Sequence, residues 1–219
     1  MKRFLANNGL TLVLLLLFAL TIAGQWLTGW RVSVEDAARH GETRLSLIAY
    51  TASPEFLSSV FENWESEFLQ MSAYVVLTAV LVQRGSAESK DPDDPARDAN
   101  LAAQAGKIGA PAILRLGPLW RALYARSLGL SLALLFVMSF VMHWTQSARA
   151  AASEALEHGE TPATMTGYLL DPQLWFESFQ NWQSEFLSTA VLVVLSIYLR
   201  QKESPESKPV AAPHSQTGA

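Results

Sequence analysis

Long uncharged apolar runs alternate along this chain with polar, mostly acidic stretches. Two runs, from about Gly9 to Trp30 and from about Leu128 to Trp144, carry no formal charge. Two shorter ones, about Phe68 to Val82 and about Phe186 to Leu199, are closed by Arg84 and Arg200. A bilayer core of ~30 Å is crossed by about 20 mostly apolar helical residues, so the pattern predicts four spanning helices. From Pro54 onward, Phe56, Leu57, Val60, Phe61, Trp64 and Phe68 advance in steps of one, three and four, which marks an apolar helical face. No breaker intervenes before Gln83, so residues 54–83 are predicted to form one helix of ~45 Å whose first turns stand clear of the hydrocarbon.

Local signals place the helix ends. Ser53-Pro54 and Asp171-Pro172 each read as an N-cap followed by proline at the first helical position. Ser33 with Asp36 three residues on has the form of a capping box that opens a short helix stopped at His40-Gly41. Ser147 is a weaker start for a matching helix stopped at His158-Gly159.

The most specific feature is an internal duplication. Asn63-Trp64-Glu65-Ser66-Glu67-Phe68-Leu69 returns 118 positions later as Asn181-Trp182-Gln183-Ser184-Glu185-Phe186-Leu187. The same offset, without a gap, aligns Arg3 with Arg121, Trp26 with Trp144, His40-Gly41-Glu42-Thr43 with His158-Gly159-Glu160-Thr161, and Glu88-Ser89-Lys90 with Glu206-Ser207-Lys208. The fold class expected is therefore all-α: an integral membrane four-helix bundle of two parallel tandem two-helix repeats with short extracytoplasmic helices. Residues 1–90 form the first repeat, with helices about 9–30 and 54–83; residues 119–208 form the second, with helices about 119–146 and 172–200. Residues 91–118, rich in Asp, Ala, Gly and Pro, read as a flexible cytoplasmic linker, and 209–219 as a disordered tail. Lys2 and Arg3 before an apolar run also describe a cleavable signal peptide, but the run is long for one and the segment recurs in mid-chain, so it is read as a retained span.

Charge adds orientation. Every Lys and Arg except Arg31, Arg39, Arg44 and Arg149 falls at the N-terminus, between the second and third spans, or after the fourth. Both termini and the linker are accordingly expected on the cytoplasmic side, with the two acidic loops outside. Arg115, Arg121 and Arg126, interleaved with Leu116, Leu119, Trp120 and Leu123, suggest a helix start in the anionic inner headgroup layer. The net charge of −4 carries no nucleic-acid footprint, and the absence of cysteine excludes disulfides, thiolate metal sites, cysteine nucleophiles and thiol-linked lipid anchors.

Candidate chemistry is sparse. Glu67 and Glu185 lie just inside the outer edge of the predicted core, where an ionisable group tends to face the bundle and find a partner. With Asn63, Asn181, Gln25 and His143 they define a candidate polar pocket, read either as a cation or proton site or as a structural clamp in which each glutamate accepts from a facing tryptophan, glutamine or backbone group. Trp26, Trp64, Trp144 and Trp182 are expected at the outer interface. His40, Glu42, His158 and Glu160 are weak metal candidates, since histidine before a helix-stopping glycine is also what capping selects. No phosphate-binding loop, nucleophile elbow, helical His-Glu-x-x-His or dinucleotide fingerprint is present, so no enzyme and no cofactor is expected.

The duplicated Asn-Trp-x-Ser-Glu-Phe-Leu block, the His-Gly-Glu turn and Gln83-Arg84-Gly85-Ser86-x-Glu88-Ser89-Lys90 resemble a family of bacterial integral membrane proteins known only as a domain of unknown function. The resemblance implies a multi-pass protein of the bacterial cytoplasmic membrane and transfers no reaction or substrate. The leading expectation is a non-enzymatic scaffold or interaction protein using outward-projecting aromatic helices and acidic loops. Its partners would be the lipid bilayer, a second copy of itself or another membrane protein, and no nucleic acid. The alternative is a small channel or transporter with an outward-facing polar pocket on a pseudo-two-fold axis.

Overall fold

In the computed structural model, which describes residues 2–41, 43–93, 98 and 100–218, the first helix is longer than its apolar run. Helix α1 spans Lys2–His40, 39 residues without a break. Ser33 does not cap a new helix. It lies inside α1, its hydroxyl donating back to the Trp30 carbonyl at 2.9 Å, so the local hydrogen bond that would have started a helix is absorbed by the existing one. The helix ends where Gly41 adopts φ 74°, the left-handed stop that a side chain resists.

After the four-residue α2 (Leu47–Tyr50), α3 runs over Pro54–Val80. Ser53 caps it, accepting from the Phe56 amide at 3.2 Å. It stops three residues short of the predicted Gln83, because the Gln83 amide is taken by the Ser89 hydroxyl at 3.0 Å and Gly85 turns the chain at φ 84°. The short α4 (Leu101–Gln104), a 3-10 turn over Ala112–Arg115 and α5 (Pro118–Tyr124) follow. The single helix expected over 119–146 is instead broken between α5 and α6 (Ser127–Glu157). At the break the Arg126 amide reaches back only to Leu123. α6 then continues past Ser147, which is buried in mid-helix rather than starting a helix, and stops before Gly159 at φ 72°. A 3-10 turn over Gly167–Leu170 leads to α7 (Pro172–Tyr198), capped by Asp171 through the Gln173 amide at 2.9 Å. Among the described residues all regular structure is helical.

Two segments, Asn7–His40 and Ser127–Glu157, are long and apolar enough to cross a membrane. The leucines and Phe18 of α1 between Leu10 and Leu20 are all exposed, an apolar surface that water does not favour.

The chain divides into two units. One comprises Met1–Val60 with His143–Met165, the other Phe61–Met142 with Thr166–Ala219. In the first, Tyr50 packs on Phe56 with ring centroids 5.3 Å apart, and Ala37, Val60 and Ala148 are buried with them. Polar ties close it: Gln25 to Ser59 at 3.1 Å, the Trp26 indole N–H to Thr51 Oγ1 at 3.0 Å, and the hydroxyls of Ser58 and Ser147 to each other. Gly29 makes room for the tyrosine, since a Cβ there would lie 2.5 Å from the Tyr50 hydroxyl oxygen. Gly29→Ala is expected to cost about 1–2 kcal/mol, overpacking exceeding the gain in helix propensity. Adding Tyr50→Phe, which removes that oxygen, should recover most of the loss of thermal midpoint; a midpoint unchanged by Gly29→Ala would contradict the packing.

In the second unit Leu174 and Ser178 of α7 have no exposed surface. Phe136 and Phe140 of α6 meet Trp175, Phe179 and Trp182 of α7 in a cluster with centroid separations of 5.4 to 6.4 Å. Residues 209–218, expected as a disordered tail, here fold back as a hydrogen-bonded segment, described below.

Candidate functional site

In the second unit α3 and α7 run side by side in the same direction and are joined by polar side chains. Glu65 is fully buried, and its Oε1 accepts from Ser178 Oγ at 2.8 Å and from the Trp182 indole N–H at 3.0 Å. Ser178 and Trp182 lie four residues apart and so share one face of α7, continuous with Leu174. On one side of this pair the Asn181 amide donates to the Glu62 carboxylate. On the other, Gln70 Nε2 donates to Thr189 Oγ1. The aromatic cluster packs around Trp182, whose indole N–H meets the Glu65 carboxylate.

The structure places a glutamate clamp at Glu65, a residue outside the expected set, which had assigned that role to Glu67 and Glu185. Glu67 and Asn63 are exposed and Glu185 is half-buried. Of the six candidate pocket residues, Asn181 enters the ladder. Gln25 and His143 belong to the other unit, where His143 is fully buried. The expected interface tryptophans are all half-buried. Trp26 and Trp144 use their indole N–H groups to hold the segments after α1 and α6, through Thr51 Oγ1 at 3.0 Å and the Met165 carbonyl at 2.9 Å.

The histidine candidates make helix-end contacts. His40 Nδ1 lies 3.0 Å from the Asp36 carbonyl and His158 Nδ1 2.8 Å from that of Glu154, each four residues back. That carbonyl and the neighbouring carboxylates of Glu154, Glu160 and Glu157 hold the His158 imidazole above its ordinary pKa. Glu160 is exposed, and Glu42 lies outside the described residues.

A second polar focus lies at the far ends of α3 and α7. Lys208 is 1 % exposed, and its ammonium donates to the backbone carbonyls of Gly85, His214 and Gln216, with that of Pro213 at 3.4 Å. Gly85 donates its amide to Thr217 Oγ1, and the Gly218 amide donates to the Ser86 carbonyl, both at 2.9 Å. The hydroxyls of Ser86 and Ser196 share a hydrogen bond of 2.8 Å. Beside this knot, Tyr74, Leu77, Thr78, Gln83, Glu88 and Val193 help line an open pocket of about 240 Å³.

Glu88 Oε2 accepts from the Tyr74 hydroxyl at 2.8 Å, while Oε1 is buried with no hydrogen-bond partner among the described residues. Burial pushes the Glu88 carboxyl above the usual range, the tyrosine hydrogen bond opposes this, and the Glu206 carboxylate adds to it. For an acid raised in the folded state, the folded form holds its proton longer than the unfolded one, so stability falls as pH rises from the ordinary value near ~4.3 through the raised one. Glu88→Gln, which keeps an acceptor for Tyr74, should therefore raise the thermal midpoint at neutral pH and leave it unchanged near pH ~4. A midpoint lowered at neutral pH would contradict the assignment.

A protein-family model described as a domain of unknown function (DUF6766) matches residues 1–219. No curated protein and no solved structure matches the chain.

Proposed function

Because the chain belongs to the DUF6766 family, a domain of unknown function, we propose its role from its own geometry: a non-enzymatic, multi-pass scaffold of the bacterial cytoplasmic membrane that binds a partner membrane protein or a second copy of itself. In this reading α1, α3, α6 and α7 all span, both termini and the 91–118 linker are cytoplasmic, and two tandem repeats pack as a four-helix bundle. The exposed leucines of α1 and the distribution of Lys and Arg support the spans and their orientation.

The repeat is supported by local geometry recurring at the offset of 118. The helices of 27 residues begin at Pro54 and Pro172. Gly41 and Gly159 stop helices at φ 74° and 72°, each after a histidine bonded four residues back. The Ser89 hydroxyl accepts from Gln83 and donates to the Lys90 carbonyl, as that of Ser207 accepts from Gln201 and donates to Lys208. The α3–α7 ladder joins residues 119 apart at Glu62–Asn181 and Gln70–Thr189. Contacts between near-equivalent positions of parallel helices are what an axis along the membrane normal produces.

The observation that carries the interaction role is apolar surface outside the predicted hydrocarbon: Leu170, in the turn before α7, is 85 % exposed and Phe176, near the start of α7, 63 %. Side chains of this kind mark interaction sites. The test is reconstitution in proteoliposomes beside size measurement in mild detergent. The scaffold reading expects no ion flux and a complex larger than one chain that Leu170→Ser with Phe176→Ser dissolves. Ion flux abolished by Glu67→Gln or Glu185→Gln would establish the channel alternative instead.

A further inference from the structure

The chain contains no Asp or Glu between Ala99 and Ser153, yet Lys107, Arg115, Arg121 and Arg126 crowd into the first half of that interval. The structure shows what these cations meet. Arg115 Nε donates to the Ala105 carbonyl at 3.2 Å, Arg121 Nε to that of Gly117 at 3.3 Å, and Arg126 to that of Ala122 at 3.2 Å. Backbone carbonyls orient these guanidinium groups, and among the described residues none of the three makes an ion pair.

The apolar neighbours are turned out as well. Leu119 is 76 % exposed, and Trp120 and Leu123 are exposed beside it on α5, a helix of seven residues too short to be stable by itself in water. Gly117, at φ 122°, and Pro118 start this helix, and Ala125 and Arg126 separate it from the apolar α6. A short helix with exposed leucine and tryptophan, carrying Arg121 and flanked by Arg115 and Arg126, placed at the mouth of a spanning helix, matches the headgroup layer of an anionic bilayer.

We propose that the segment Lys107–Arg126 is an anionic-lipid-selecting collar: α5 lies in the interface with Leu119, Trp120 and Leu123 in the acyl boundary, while Arg115, Arg121 and Arg126 collect phosphatidylglycerol-type headgroups around the start of α6. This rests on the reading that α6 spans the membrane. The acid-free interval supplies charge complementarity to a negative surface. The exposed leucines distinguish this occupant from a nucleic acid, which binds cationic surfaces through phosphates and base stacking.

The test reconstitutes the full chain in vesicles mixing phosphatidylcholine with phosphatidylglycerol, the bromine carried by the acyl chains of one lipid or the other. The difference in tryptophan quenching between the native chain and Trp120→Phe isolates the Trp120 signal. Quenching of Trp120 by brominated phosphatidylglycerol should exceed that by brominated phosphatidylcholine about fivefold, the preference expected of at least one engaged cation. The triple variant Arg115→Gln, Arg121→Gln, Arg126→Gln should fall to parity, and the triple Arg→Lys variant, which keeps the charge, should retain the preference. Equal quenching by both lipids in the native chain, or a preference surviving the Gln variant, would overturn the proposal. Absence of quenching of every tryptophan by either lipid would instead overturn the spanning reading, and the collar with it.

Discussion

Glu65→Ala is expected to lower the thermal midpoint in detergent more than any change at Glu67 or Glu185, by an amount corresponding to about 2–4 kcal/mol. The substitution removes the acceptor of two hydrogen bonds, from Ser178 Oγ and the Trp182 indole, and leaves both donors in a site without solvent exposure at residues 65 and 178. A bond to a charged group contributes about 1.5–3 kcal/mol, and each stranded donor costs about 1–3. Interhelical bonds in membrane proteins average nearer ~0.6 kcal/mol, which sets the lower end. Glu65→Gln keeps a carbonyl oxygen for both donors and should stay within about 1 kcal/mol of the native chain. Trp182→Phe keeps the ring against Phe136 and Phe179 while removing the N–H, so the double-mutant cycle with Glu65→Ala isolates the bond itself. Indistinguishable midpoints for Glu65→Ala and the native chain, or zero coupling in the cycle, would remove the clamp from this account.

The second large effect is expected at Lys208. Lys208→Met keeps an unbranched side chain, one heavy atom shorter, but presents no donor to the carbonyls of Gly85, His214 and Gln216. Stranding these acceptors costs about 1–3 kcal/mol each if they stay buried, so release of the segment to water is the cheaper outcome. Residues 209–218 should then leave the turn at Gly85–Ser89. The amides of Gly85 and Gly218, held by Thr217 Oγ1 and the Ser86 carbonyl, should exchange at least tenfold faster, and proteolysis within the segment should accelerate alongside. Gly85→Ala should do the same by another route, because a Cβ there would lie 2.8 Å from the His214 carbonyl oxygen at a backbone φ of 84°. Native-like exchange at both amides in Lys208→Met would show that the ammonium does not hold the segment.

These two residues also mark where sequence reading reached and where it stopped. Proline after Ser53 and Asp171, and glycine after His40 and His158, announce helix ends by local rules, and the structure has ends at those places. Ser33-x-x-Asp36 obeys the same rules and is overridden, since the continuous helix already satisfies the amides a cap would serve. The α5–α6 break was not legible because neither glycine nor proline stands at Ala125-Arg126.

Glu65 is a position where the copies differ, Gln183 replacing it. The signal lay in a second difference: Ser178 stands 118 positions after Val60, so one copy supplies a buried acceptor and the other the small donor to meet it. Paired departures from symmetry identify a contact that matching residues conceal. Lys208 carries no such sign, because Lys90, its counterpart, is exposed, and three of the four carbonyl partners of Lys208 come from the folded-back segment after Pro209.

Lack of cysteine makes the topology directly measurable, since one introduced thiol is the only one present. Thr43→Cys, Ala163→Cys and Ala102→Cys occupy exposed positions after α1, after α6 and within α4. In intact bacteria, a membrane-impermeant maleimide should label the thiols at 43 and 163, and reach the one at 102 only after permeabilisation. Labelling at 102 in intact cells, or labelling at only one of 43 and 163, would contradict two tandem helix pairs that enter the membrane from the same side.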